Sequence, residues 1–193
     1  MLGWILVILC VVLFVCMVFF KNVGTASSKK DVSCKDMGII IGNLAQRFVD
    51  DLFACADLEE FETSDINVAK GYFGMFYSVL ALLALQAKHV INATQMNSIF
   101  SYYLCNSLGA RNKDFGKLIF ADNSPIPNIF VEMYRSISED IYNEDYNDLP
   151  QILHDYIDDS IYTAINDKLP IRSIISAWSG SGLQLAKDYN VVQ

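Results

Sequence analysis

Residues 71–87, GYFGMFYSVLALLALQA, decide how this chain folds. They form 17 residues without a charge, bounded by Lys70 and Lys88. As a membrane span the run is short, because a bilayer's hydrocarbon is about 30 Å thick and takes about 20 helical residues at 1.5 Å each. As a soluble helix that is apolar all round, it belongs at the centre of a helical bundle. Tyr72, Tyr77, Ser78, Gln86 and two glycines interrupt its apolar character. The reading is therefore a core helix within residues 68–91, with a second membrane crossing as the alternative.

The other apolar run, residues 1–20, reads MLGWILVILCVVLFVCMVFF and contains no charge. Its length matches one transmembrane helix, a membrane anchor with Leu2 and Phe20 at its ends. Trp4 near one end and Phe19, Phe20 and Lys21 at the other suit interfacial positions. A cleaved signal peptide has a basic start and a shorter apolar core, and no Lys or Arg precedes this run. Lys21, Lys29, Lys30 and Lys35 follow it, so the positive-inside rule puts the rest of the chain in the cytoplasm as a single-pass protein. Residues 22–35 read as a basic flexible linker.

Outward from the central run, hydrophobic spacing of three and four predicts further helices. Residues 36–58 place Met37, Ile40, Ile41, Leu44, Phe48, Leu52 and Cys55 on one side. Gly38 and Gly42 within it form a GxxxG pattern, read here as a tight crossing inside a soluble core rather than in lipid. Residues 94–108 form the next helix, with Thr94 as N-cap and Gly109 as stop. Residues 109–128 hold Gly, Asn, Asp and two prolines and read as the longest loop. Its Arg111, Lys113 and Lys117 contrast with an otherwise acidic chain. Pro127 starts a helix to about residue 146. A helix capped by Asp148 then carries Ile152, Leu153, Tyr156, Ile157, Ile161 and Ile165 and ends at Pro170. A short helix from Ile171 to Trp178 leads into Ser179-Gly-Ser-Gly182 and a polar tail. Strand-type alternation is not evident. The fold expected is all-α, an N-terminal transmembrane helix followed by a helical bundle of about five or six helices. Its parts are an anchor at 1–21, the linker at 22–35, an acidic helical domain at 36–178 and a C-terminal tail at 179–193.

The net charge is −8. That argues against nucleic-acid binding, which needs clustered cations facing phosphates. Five cysteines, two of them in the first apolar run and none spaced as CxxC, make neither a disulfide framework nor a zinc site. Catalytic patterns are weak. His154-Asp155 with His89 has the residue types of an all-helical His-Asp metal phosphohydrolase, an alternative reading, but an exposed polar face explains the pair equally well. No Glu-x-x-His supports a di-iron bundle, and no Gly-x-Ser-x-Gly a serine nucleophile. The Ser179–Gly182 stretch lacks the Lys of a phosphate loop, and residues 57–65 lack the spacing of a calcium loop. No cofactor or metal is expected.

Acidity is the remaining signal. Residues 50–65 hold seven acids and no Lys or Arg, and residues 132–168 hold ten acids against Arg135 and Lys168. Such a surface keeps a tethered domain soluble, or it steers a basic protein partner. The candidate docking face comprises Glu139, Asp140, Glu144, Asp145, Asp148, Asp155, Asp158 and Asp159. The expected function is a non-enzymatic interaction module or accessory subunit at a membrane, in an adaptor, immunity or assembly role.

Overall fold

A computed structural model describes residues 29–54, 56–142, 149–168 and 171–192. The expected anchor, residues 2–20, lies outside the described residues. What is described is predominantly helical, as the periodicity predicts.

Helix α1, Cys34–Phe53, starts where the Ser33 side chain accepts a hydrogen bond from the Asp36 N–H at 3.1 Å. Met37, Ile41, Ala45, Phe48, Val49 and Leu52 are buried at helical spacing. Gly38 and Gly42 allow a close crossing: a Cβ on Gly42 would lie 2.1 Å from the Ser107 Oγ. The GxxxG pattern thus serves packing inside the domain.

Helix α2, Thr63–Ala87, contains the decisive run. It is long and apolar enough to cross a membrane by length and composition, yet 72% of its apolar window is buried within the protein. Phe73, Met75, Phe76, Val79, Leu82 and Leu85 are fully buried and do not share one face. A helix apolar on every side needs partners on every side. Here they include α1, α4 (Lys113–Ile119), α5 (Ile126–Tyr142) and α8 (Ile171–Asp188). Tyr77, Ser78 and Gln86 are met by those neighbours or by the helix's own backbone. The Tyr77 hydroxyl is 2.6 Å from the Ser181 Oγ, Ser78 donates to the Met75 carbonyl, and Tyr134 donates to Gln86.

Several boundaries differ from expectation, each for a local reason. Helix α3, Ala93–Tyr102, is capped by Asn92 rather than Thr94, because Asn92 and Gln95 form a reciprocal capping box at 2.9 and 3.0 Å. Gly109 does not stop it. The backbone widens into a π-helical segment, Tyr103–Leu108, and continues through Gly109–Arg111. Gly109 keeps helical dihedrals instead of the left-handed geometry of a C-terminal stop. The expected loop at 109–128 holds α4, capped where Asn112 accepts from the Phe115 N–H at 3.0 Å.

The single helix expected between the Asp148 cap and Pro170 is two helices, α6 (Leu149–His154) and α7 (Asp159–Lys168). Asp158 breaks it by accepting from the N–H groups of Ser160 and Ile161. The expected tail at 179–193 is mostly α8, which runs through Ser179–Gly182 to Asp188. Gly182 lets α8 approach α2 closely, since a Cβ there would be 3.1 Å from that of Ala84. Two short strands, β1 (Lys30–Ser33) and β2 (Tyr189–Val192), pair in parallel, Lys30 opposite Tyr189 and Ser33 opposite Val192. This corrects both the expectation of no strand and the reading of the linker as wholly flexible, because buried Val32 and Val191 tie the two ends of the domain together.

Candidate functional site: an acidic groove

The turn between α6 and α7 faces the first turns of α2 across a groove of about 440 Å³. Phe61, Val68, Tyr72 and Tyr156 line it half-buried, Ile157 is buried at its base, and Asp65, Asp158 and Ser160 are exposed. Tyr72 and Tyr156 stack with ring centroids 6.2 Å apart. The Tyr156 hydroxyl donates to the Glu132 Oε2 at 3.0 Å, which fixes the ring. Asp65 belongs to the first acidic stretch and Asp158 to the second, so the fold brings both to one groove.

The candidate acids divide by what they touch. Glu139 is exposed on α5 and Asp155 is exposed beyond α6, where it accepts from Gln151 Nε2 at 3.2 Å. Asp158 is committed to capping α7, and Asp159 pairs with His154 Nε2 at 2.8 Å. The side chain of Asp140 and residues Glu144, Asp145 and Asp148 lie outside the described residues.

The histidine alternative has a different geometry from the one its motif suggests. His154 is held by Asp159 rather than Asp155, and its ring stands edge-on to Tyr162 with centroids 4.5 Å apart. His89 is exposed in the turn after α2, with a φ of 55°. Among the described residues no three His, Cys, Asp or Glu are grouped to hold a metal ion. Cys34 and Cys105 are free thiols.

Burial pushes the Tyr156 phenol up to about 12, helped by the carboxylates of Glu132 and Asp155. Burial also raises Tyr72 and Tyr162 nearby. A phenol with a raised folded-state pKa holds its proton more tightly when folded. Its contribution is complete below the unfolded value of about 10 and is lost as pH rises toward the folded value. The urea midpoint should therefore fall between pH about 10 and about 12, and Tyr156→Phe should remove part of that slope. Equal midpoints at pH 9 and 11 would contradict this.

Tyr72, Phe61 and Val68 were not singled out by sequence as surface groups. The available signal was Phe61, a large apolar residue between Glu60 and Glu62. No family model matches this chain, and no curated protein or solved structure matches it either.

Proposed function

We propose that this chain is a membrane-anchored, non-enzymatic interaction module or accessory subunit that engages another protein through its acidic helical domain. Residues 2–20 are its anchor and the domain faces the cytoplasm. The observation that carries the reading is the groove between α2 and the α6–α7 turn. Two acidic stretches distant in sequence meet there over a half-buried aromatic floor. Charge of one sign around such a floor favours a partner segment with an apolar side chain flanked by Lys or Arg. The charges speed encounter and the buried contact sets lifetime.

The structure also tells which acids to change. Asp65→Lys, in the groove lining, with Asp155→Lys, next to Tyr156, leaves the Asp158 cap and the Asp159–His154 pair intact. With the intact chain in detergent, this double change should lower capture of the bound protein several-fold, and more so at low salt. Unchanged capture at low salt removes the docking reading. A reporter fused after Gln193 tests orientation separately, and activity only outside the cytoplasm reverses it.

A further inference from the structure

A second cavity, about 520 Å³, opens between α1, α2 and the segment joining α3 to α4. Its charge is opposite to the rest of the molecule. Of the fourteen Lys and Arg in the chain, Lys70, Arg111, Lys113 and Lys117 line this one space. Asp114 is the only carboxylate among its lining residues, and its contacts neutralise a single cation. Asp114 Oδ1 accepts from Lys117 Nζ at 2.8 Å and Oδ2 from Asn67 Nδ2 at 2.9 Å.

The other cations have neutral partners where they have one. The Lys70 ammonium lies 5.2 Å from the centre of the Phe53 ring, and Arg111 donates to Asn43 Oδ1 at 3.0 Å. Such contacts fix a side chain without cancelling its charge. Among the described residues no carboxylate pairs with Lys70, Arg111 or Lys113. Three like charges beside one concave space repel each other, and an anion in that space relieves the repulsion.

A solvated basic patch is the ordinary explanation of surface lysines, but it does not account for the shape. The cavity lining combines small residues, Gly42, Ala45 and Gly74, with apolar Val49 and Leu108. The π-helical segment turns Tyr103, Ser107 and Leu108 toward it, and such insertions are frequent at functional sites. The Tyr103 hydroxyl is buried beside Gly74 and makes no hydrogen bond of normal geometry. The neighbouring Ser78 hydroxyl already donates to the Met75 carbonyl.

We propose that this cavity binds a small organic phosphate monoester, its phosphate held by Lys70, Arg111 and Lys113 and its organic part against the apolar lining of Ala45, Val49 and Leu108. A phosphate monoester carries close to two negative charges at neutral pH, which suits an excess of three cations better than a single carboxylate does. The volume falls in the range of small-molecule sites, about 300–1,000 Å³. A free ester and the terminal phosphate of a lipid headgroup share this chemistry.

The test uses the full chain in neutral detergent, with AMP and short-chain phosphatidic acid as calorimetric probes. At low salt, at least one probe should bind saturably. The triple variant Lys70→Gln, Arg111→Gln, Lys113→Gln should weaken it by about tenfold or more, whereas Lys88→Gln with Lys187→Gln should not. Lys113→Gln alone, at an exposed position, should weaken binding about threefold and keeps the test readable if the triple variant does not fold. Tighter binding of AMP assigns a free ester, and tighter binding of phosphatidic acid assigns a lipid headgroup. The proposal is overturned if neither probe saturates below about 10 mM, or if the folded variants bind as the parent does.

Discussion

Phe115→Ala should destabilise the domain by about 3–5 kcal/mol, much of the about 5–15 kcal/mol that holds a typical domain together. Phe115 is fully buried. Its ring enters a notch left by Gly71, where a Cβ would lie 2.2 Å from the ring's Cγ and Cδ2. It also stands edge-on to Tyr72, with centroids 5.1 Å apart. Helix α4 has seven residues, too few to persist without tertiary contacts. Phe115 is its only fully buried large side chain. Gly71→Ala should cost about 1–3 kcal/mol although alanine favours helix, because the rigid base of the ring cannot swing aside. In the Phe115→Ala background the same change should cost nothing or stabilise. Urea denaturation of the four proteins makes the double-mutant cycle, and additive costs would sink the notch.

That pair also marks the limit of what the sequence disclosed. Helix α1 was legible because Met37, Ile41, Phe48 and Leu52 recur at helical spacing against a polar side. Helix α4 was not, since seven residues with one deeply buried aromatic carry no periodic signal and its flanking Asn, Gly and Asp suggest a loop. The break between α6 and α7 was hidden by the periodicity itself. Leu153, Ile157, Ile161 and Ile165 are all buried at steps of four, so the apolar stripe keeps its phase across the interruption. Only the Asp158 side chain reveals the new start, and an exposed acid reads equally well as a helix surface residue.

Both candidate sites failed to show for a related reason: they are non-local. Asp65 in α2 and Asp158 in the α6–α7 turn flank one groove, and Lys70 meets Arg111 and Lys113 only because α2 packs against α4, which Arg111 just precedes. The contrast of a basic 111–117 stretch with an acidic chain was visible, but the cavity was not. The β1–β2 pairing is more distant still, with Asp31 and Asn190 separated by 159 positions. Four-residue strands contain too few alternations to distinguish them from linker and tail.

The chain beginning at Lys29 should be a monodisperse, helical, water-soluble protein without detergent, an all-or-none outcome that decides between the two readings of residues 71–87. In lipid, Tyr77 and Gln86 would each need a hydrogen-bonding partner within the bilayer, whereas Ser78 is met by its own helix in either setting. In the folded domain Ser181 and Tyr134 supply them. The buried ring of side chains around α2 is equally consistent: Phe73, Phe76, Val79 and Leu82 meet protein rather than a solvent of any kind. The starting residue matters. A chain beginning at residue 36 loses β1, buried Val32 and the Ser33 cap, the last alone worth about 1 kcal/mol, and should unfold at clearly lower urea. Recovery of the Lys29 chain only in membranes or detergent, or as aggregate with its helices intact, would make α2 a lipid-facing span. A soluble product with a cooperative urea transition makes it the axis on which the other helices pack.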